Sequence, residues 1–184
     1  VKNLAAMQSF GSIDVLCSDK TGTLTAGTLK LHAHVDALGG PSDRTFELAY
    51  LNSLLETGIG NPVDASIRAE ARNPLDSAIL NHDRADVLGA EKLAEIPFDF
   101  DRRMVSVVAK RKDSVLLVTK GAPEDVLHCC SSYEAGGRML PLDGAARALC
   151  QSTYEEFGNH GSRVLAVAWK AAGAAARYSA DRKS

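Results

Sequence analysis

The stretch Ile96–Leu127, "IPFDFDRRMVSVVAKRKDSVLLVTKGAPEDVL", decides the fold. Within it, residues 104–110 and 114–119 are two short runs rich in valine and leucine, and the polar segment Lys110–Asp113 separates them. Apolar, β-branched runs that are joined by a short polar turn are typical of two neighbouring antiparallel strands. The stretch therefore predicts an antiparallel β-hairpin.

Predicted helices flank this hairpin on both sides. Pro123 suits the first turn of a helix that runs to about Cys130. The segment "GGPSD" breaks the chain, and Ser42 or Asp43 can cap the helix that follows. The other predicted helices are a helix through Phe46, Leu48, Ala49, Leu51 and Leu54, two helix starts at "NPVDASI" (61–67) and "NPLDSAIL" (73–80), and a helix over 144–159. With a strand at 163–169, "RVLAVAW", the pattern predicts an α+β fold in which helices flank an antiparallel sheet.

The two ends of the chain are predicted to be separate from this unit. Within residues 1–12, apolar spacing predicts a helix that stops at Gly11, and a short buried strand follows over 13–19. Alternation predicts a further strand over 28–38, "TLKLHAHVDAL". The last residues, "KAAGAAARYSADRKS", have little apolar pattern and are predicted to be a frayed end. The predicted domain boundaries are therefore 1–38, 39–170 and 171–184.

Composition excludes several classes of partner. The formal net charge is −2 over 184 residues, which gives no general attraction to nucleic acid or to an anionic membrane surface. No apolar run approaches the roughly 20 residues that span a bilayer, so the chain as given is predicted to be soluble. The four cysteines include no C-x-x-C pair, which favours a reducing setting over a disulfide framework or a zinc site.

The segment "CSDKTGTLT", residues 17–25, places chemistry at the end of the predicted strand 13–19. In open α/β sheets, ligands bind at the carboxyl ends of the strands, which is where Asp19 stands. The threonines and the glycine that follow can surround an anion closely. Taken alone, Asp19 could be a solvated loop carboxylate, a Mg²⁺ ligand, or a nucleophile that accepts a phosphoryl group.

The run "DKTGTLT" resembles the signature of P-type ATPases, ion pumps that form an aspartyl-phosphate, and it matches without a mismatch. The resemblance implies that Asp19 is the nucleophile, that Lys20 and Thr21 lie near the phosphate, and that Asp19 and Thr21 bind Mg²⁺. Phosphatases related to these pumps carry a second aspartate at the position of Thr21, where it serves as general acid and base. Threonine cannot do this, so the phosphoenzyme is expected to persist. The alternative, a stand-alone nucleotide-binding protein or a haloacid-dehalogenase-like phosphohydrolase, is weakened accordingly.

Three further segments resemble the nucleotide-binding domain of the same family: "FDFDRRMVSVV" (98–108), "KGAPE" (120–124) and "SRVLAVAW" (162–169). By position, the resemblance implies these ATP-binding residues: Phe98 as adenine platform, Arg103 as its basic neighbour, Lys120 and Gly121 as pocket floor, Arg163 as phosphate contact, and Asp76 beside the adenine amino group. Asp64 is the alternative to Asp76. Without the family, Phe98 could equally be a core residue, Lys120 a solvated cation, and Arg163 half of a surface ion pair.

The resemblance is greatest to the bacterial magnesium-transporting type of pump. It implies ATP and Mg²⁺ as cofactors and a place on the cytoplasmic face of a bacterial inner membrane. The family's later "TGD" and "GDGxNDxP" segments do not occur in these residues. The chain is therefore expected to be an inactive fragment. It would hold the end of a stalk, the first strand of a Rossmann-like phosphorylation domain and the nucleotide-binding domain, and its partners would be the remaining phosphorylation, actuator and transmembrane domains.

Overall fold

The computed structural model describes residues 29–56, 74–82, 87, 89–112 and 114–173. The helices in these ranges are α1 (Asp43–Leu55), α2 (Pro74–His82), α3 (Pro123–His128) and α4 (Gly144–Asn159). The strands are β1 (Glu91–Asp99), β2 (Met104–Arg111), β3 (Ser114–Gly121), β4 (Ser132–Ala135), β5 (Arg138–Pro141) and β6 (Ala166–Ala171). The predictions for 1–12, 13–19 and 61–67, and for most of the tail, lie outside the described residues.

A four-stranded sheet in the order β1-β2-β3-β6, with every neighbouring pair antiparallel, forms the centre of the described structure. The hairpin β2–β3 was predicted and is confirmed, with Val107 opposite Val118 and both fully buried. The predicted strand at 163–169 is confirmed as β6, although it begins later, at Ala166. The sequence prediction missed β1, because none of its side chains is buried and it shows no apolar alternation.

Helix α1 covers one face of this sheet. Ser42 caps it, because the Ser42 Oγ accepts a hydrogen bond of 3.2 Å from the Thr45 N–H. One apolar cluster joins the helix to the sheet, and burying a single leucine of it contributes about 1.5–3 kcal/mol. The buried members of that cluster are Leu48, Leu51, Val87, Val107, Ala109 and Val118. A second cluster, Phe46, Ala49 and Ile79, joins α1 to α2. Both helices were predicted and are confirmed.

A smaller layer contains α3, α4 and the two-stranded sheet β4–β5. Helix α4 has the predicted bounds, and the Asp143 carboxylate caps it by accepting a 2.8 Å hydrogen bond from the Ala146 N–H. The β4–β5 hairpin was not predicted, because each strand has only four residues. The turn between the two strands consists of Gly136 and Gly137. Both glycines have positive φ, which suits a tight turn.

The strand predicted over 28–38 is wrong for the residues that the structure describes. Residues 29–38 form no strand, and their one bridge joins Val35 to Pro41. The chain reverses direction at Asp36, whose carboxylate accepts hydrogen bonds from the Leu38, Gly40 and Gly136 N–H groups. The alternating side chains of this segment line a cavity and do not pair with a neighbouring strand. Among the described helices, none has both the length and the apolar character to cross a membrane.

Candidate ligand site around Lys120

Lys120, at the end of β3, is only 5% exposed and is held by three side chains. Its ammonium group forms an ion pair with Asp76 Oδ1, donates a 2.8 Å hydrogen bond to Ser53 Oγ, and lies 3.2 Å from Glu56 Oε2. Ser53 Oγ in turn donates a 2.6 Å hydrogen bond to Asp76 Oδ1. The solvated-cation interpretation of Lys120 is therefore wrong, because its ammonium group is buried and contacts protein side chains in place of water.

Three elements deliver these side chains to one point. Ser53 and Glu56 come from the carboxyl end of α1, and Asp76 comes from the first turn of α2. Asn52, fully buried in α1, donates a 2.9 Å hydrogen bond from Nδ2 to the Val118 carbonyl of β3. That bond fixes the end of α1 against the strand that carries Lys120.

The network contains one cation, Lys120, and two carboxylates, Glu56 and Asp76, so its hydrogen-bond acceptors outnumber its donors. Burial raises the pKa of the Glu56 carboxyl and outweighs the opposing attraction of Lys120, and the nearby Asp76 charge acts in the same direction as burial. A hydrogen bond from a further N–H donor stabilises buried carboxylates that lie close to each other. The arrangement can therefore accept a hydrogen bond from the amino group of a ligand.

A cavity of about 350 Å³ adjoins Lys120. This volume lies in the range of small-molecule pockets, which is about 300–1,000 Å³. Arg163 also borders the cavity and is exposed, so it places a cation at the rim. Its apolar walls include Leu31 of the segment before α1, Phe46 and Ala49 of α1, Leu75 and Ile79 of α2, and Leu165 and Val167. The structure thus brings Asp76, Lys120 and Arg163 to one region.

Phe98 lies near the same end of the sheet but is not among the described residues that line the cavity. Its side chain is 50% exposed, and its ring meets that of Phe100 edge-on, with 5.3 Å between the ring centroids. The core interpretation of Phe98 is wrong, because half of its surface is open to solvent. Phe98 stands two strands away from Lys120, which corresponds to roughly 10 Å across the sheet. A planar ligand could reach both side chains.

Arg103 and Gly121 meet where the β1–β2 turn contacts the end of β3. The Arg103 guanidinium lies 3.2 Å from Glu124 Oε1 and 2.6 Å from Asp125 Oδ2. The hydrogen bond to Asp125 has the largest effect and raises the pKa of Arg103; burial comes next and opposes it, and the charges of Asp125 and Glu124 add to the increase. A Cβ on Gly121 would lie 2.4 Å from the Arg103 carbonyl oxygen, so only glycine fits there.

The other predicted site residues lie outside the described residues: Asp19, Lys20, Thr21 and Asp64. Sequence reasoning missed Ser53 and Glu56. No local pattern marks them, since they become neighbours of Lys120 only when chain segments 67 and 64 residues apart meet. In the part of the chain that the structure describes, no group of three or more histidine, cysteine, aspartate or glutamate side chains could hold a metal ion.

Comparison with known protein families shows which family the chain belongs to. Residues 57–183 match the family model of the P-type ATPase cytoplasmic domain N. The chain belongs to the P-type ATPases. The antiparallel sheet with flanking helices agrees with that domain, so the predicted family and fold class are confirmed.

Individual P-type ATPases are similar to nearly the whole chain. Magnesium-transporting ATPase, P-type 1, of Escherichia coli (strain K12) is 38% identical over 171 residues, which cover 92% of this chain and 18% of that protein. The protein of the same name from Salmonella typhimurium (strain LT2) is 38% identical over 176 residues, with the same coverage. Calcium-transporting ATPase type 2C member 2 of Rattus norvegicus is 30% identical over 198 residues, covering 91% of this chain and 21% of that protein. The chain thus spans about a fifth of the length of these relatives.

Proposed function

We propose that this chain is the ATP-binding cytoplasmic part of a P-type ATPase that transports a cation, with Mg²⁺ as the transported ion. The observation that carries the proposal is the buried pair of Lys120 and Asp76 beside a cavity of about 350 Å³. The names of the magnesium-transporting relatives support the choice of ion. Ion-binding residues of such a pump would lie in membrane helices outside these residues.

The ATP-binding role assigns tasks to five of the six predicted ATP-binding residues. The adenine ring stacks on the half-exposed face of Phe98, because aromatic stacking of a base is worth about 1–3 kcal/mol. Asp76 accepts a hydrogen bond from the adenine 6-amino group, and the ion pair with Lys120 holds its side chain in place. Gly121 lets the β1–β2 turn at Arg103 approach the end of β3. Arg163, the exposed cation at the rim, contacts the phosphates.

The hydrolytic role places the chemistry at Asp19. A carboxylate oxygen of Asp19 attacks the γ-phosphorus of ATP, the bond to the β-γ bridging oxygen breaks, and ADP leaves. Lys20 and Thr21 would lie near the transferred phosphoryl group, and Asp19 and Thr21 would hold Mg²⁺, which supplies charge neutralisation when bound. Because residue 21 is threonine, no carboxylate there activates water, and the aspartyl-phosphate persists. This favours a pump over the alternative, a stand-alone phosphohydrolase.

The partners in this proposal belong to one longer chain. The relatives extend well beyond the matched segment, which leaves room for the remaining phosphorylation domain, the actuator domain and the membrane helices. The ATP-binding part would then lie on the cytoplasmic face of the membrane. The 184 residues alone would bind ATP weakly, with little need for Mg²⁺, and would not turn it over.

Acid-quenched labelling with γ-labelled ATP tests the proposal. The full-length protein should form a label that hydroxylamine removes, since hydroxylamine cleaves acyl-phosphates, and the Asp19→Asn variant should form none. The 184-residue chain should remain unlabelled. Label on the Asn variant would remove Asp19 as nucleophile, and an unlabelled full-length protein would contradict the pump assignment.

A further inference from the structure

The turn between β1 and β2 is fastened to the junction of β3 and α3. The Ala122 N–H donates a 3.1 Å hydrogen bond to the Arg103 carbonyl, and the Arg103 side chain reaches Glu124 and Asp125 beyond it. Gly121 lets the two backbones approach, because any Cβ there would collide with Arg103. The turn is thus connected to the junction by both main chain and side chain.

Hydrogen bonds to Asp99 hold the backbone of the turn itself. The Asp99 carboxylate accepts hydrogen bonds from the Asp101 and Arg102 N–H groups at 2.7 and 3.1 Å, and the Arg103 N–H donates a 2.7 Å bond to the Asp99 carbonyl. Arg103 has φ of +50°, a left-handed conformation that is uncommon for a residue with a side chain. Phe98 directly precedes Asp99. Whatever fixes Arg103 therefore fixes the backbone that orients the Phe98 ring.

We propose that Arg103 is a positioning residue: through its ion pairs with Glu124 and Asp125 it holds the β1–β2 turn so that Phe98 presents its ring to the adenine base. The inference rests on the proposed ATP-binding function and adds a role that direct contact with ATP does not supply. A cation that contacts phosphate needs free charge, whereas the Arg103 charge already faces two carboxylates. Such exposed ion pairs contribute little to global stability, so their effect should appear in affinity and not in melting temperature.

The chain offers a matched control at the opposite end of the sheet. Lys112 is the other described non-glycine residue with positive φ, at +52°, and it lies exposed in the β2–β3 turn. It shares the charge and the backbone conformation of Arg103 but is far from Phe98 along both strands. Lys112→Gln therefore separates a local effect on Phe98 from a general effect of removing a cation from a left-handed turn.

The test is a double-mutant cycle for ATP affinity, measured on the 184-residue chain by NMR titration of the Lys120 amide. Arg103→Gln and Asp125→Asn should each weaken ATP binding about fivefold, the coupling expected of side chains in one network, while Lys112→Gln should leave the affinity unchanged. In a Phe98→Ala background, Arg103→Gln should cause no further loss. Melting temperatures of all variants should stay within a few degrees of wild type.

The outcomes separate this inference from the proposed function. If the wild-type chain binds ATP but Arg103→Gln binds it equally well, the positioning role is wrong and the ATP site stands. If Arg103→Gln weakens binding by the same factor with and without Phe98, and Asp125→Asn does not weaken it, then Arg103 contacts ATP directly and the inference is overturned. Absence of ATP binding by the wild-type chain would overturn both claims.

Discussion

At the residue scale, Lys120 explains why α1, α2 and β3 converge where they do. A lysine that is 5% exposed needs carboxylates and hydrogen-bond acceptors around its ammonium group, and Ser53, Glu56 and Asp76 supply them. Replacing such a pair with apolar residues need not destabilise a protein. The pair lies beside the cavity, where the proposed function gives it a role in binding ATP.

Removing the carboxylate of Asp76 should destabilise the fold and reduce nucleotide selectivity. We expect Asp76→Asn to lower the free energy of unfolding by about 3 kcal/mol, the lower end of the range for breaking a buried pair, because Glu56 still faces Lys120. Chemical denaturation measures this, with exposed Asp101→Asn as a control that should change stability by less than about 0.5 kcal/mol. An adenine-over-guanine preference that survives Asp76→Asn but disappears in Asp64→Asn would show that Asp64 is the adenine-proximal acid.

Removing the ring of Phe98 should affect binding and leave stability almost intact. Because the ring is 50% exposed, Phe98→Ala is expected to weaken ATP binding by about 1–3 kcal/mol with little change in melting temperature. Leu149→Ala, at a side chain that is 56% exposed on α4, is the control and should change neither quantity. A loss of about 3–5 kcal/mol in folding stability, as for buried phenylalanines, would contradict the platform role.

At the element scale, the parts of the fold that the sequence predicted are those with strong local signals. Helix α4 has the predicted bounds because a capping aspartate precedes it, and the β2–β3 hairpin has two apolar runs on either side of a polar turn. The exposed strand β1 and the short β4–β5 hairpin carry no such signal. The false strand over 28–38 shows that alternation alone cannot tell a paired strand from a segment lining a cavity.

The close approach at Gly121 can be tested by adding one methyl group. Gly121→Ala would place Cβ 2.4 Å from the Arg103 carbonyl oxygen, which is a backbone atom that cannot move aside easily. We expect a loss of about 1–3 kcal/mol in folding stability together with weaker ATP binding. Gly144→Ala is the matched control: a Cβ there meets no atom within 4 Å, and at the start of α4 it should stabilise by about 0.4–1 kcal/mol. Equal effects of the two variants would contradict the packing role of Gly121.

The reversal of the chain at Asp36 should depend on pH. Burial alone would raise the pKa of Asp36, but hydrogen bonds from the Gly136, Leu38 and Gly40 N–H groups outweigh it, so the pKa is lowered. A lowered pKa in the folded state means that Asp36 stabilises the fold above the unfolded value of about 3.9 and loses this contribution as pH falls through the folded value.

Asp36→Asn should therefore cost about 1 kcal/mol at pH 7, because an amide nitrogen cannot accept the Gly136 N–H. The difference from wild type should shrink below about pH 4 in denaturation curves measured at several pH values. A difference that stays constant from pH 7 to pH 3 would show that the ionised carboxylate is not what holds the reversal.

At the scale of the whole molecule, the site could be predicted only in part. The motifs around Phe98, Lys120 and Arg163 stand in short segments that can be compared with a known family, and they were identified from sequence. Ser53 and Glu56 could not be, because only the packing of α1 against β3 brings them to Lys120. The Arg103 ion pairs were missed for the same reason, since Arg103 and Glu124 are 21 positions apart in the sequence and meet only when the β2–β3 hairpin forms.

The proposed ATP site lies between Phe98 on one side and Asp76, Lys120 and Arg163 on the other. The most direct test is an NMR titration of the ¹⁵N-labelled 184-residue chain with ATP, and with GTP as the control nucleotide. We expect ATP to shift the amide signals around Phe98, Lys120 and Arg163. GTP, which lacks the 6-amino group, should shift them only at higher concentration. If saturating ATP leaves the amide signals of all three regions unshifted, the proposed ATP site is contradicted.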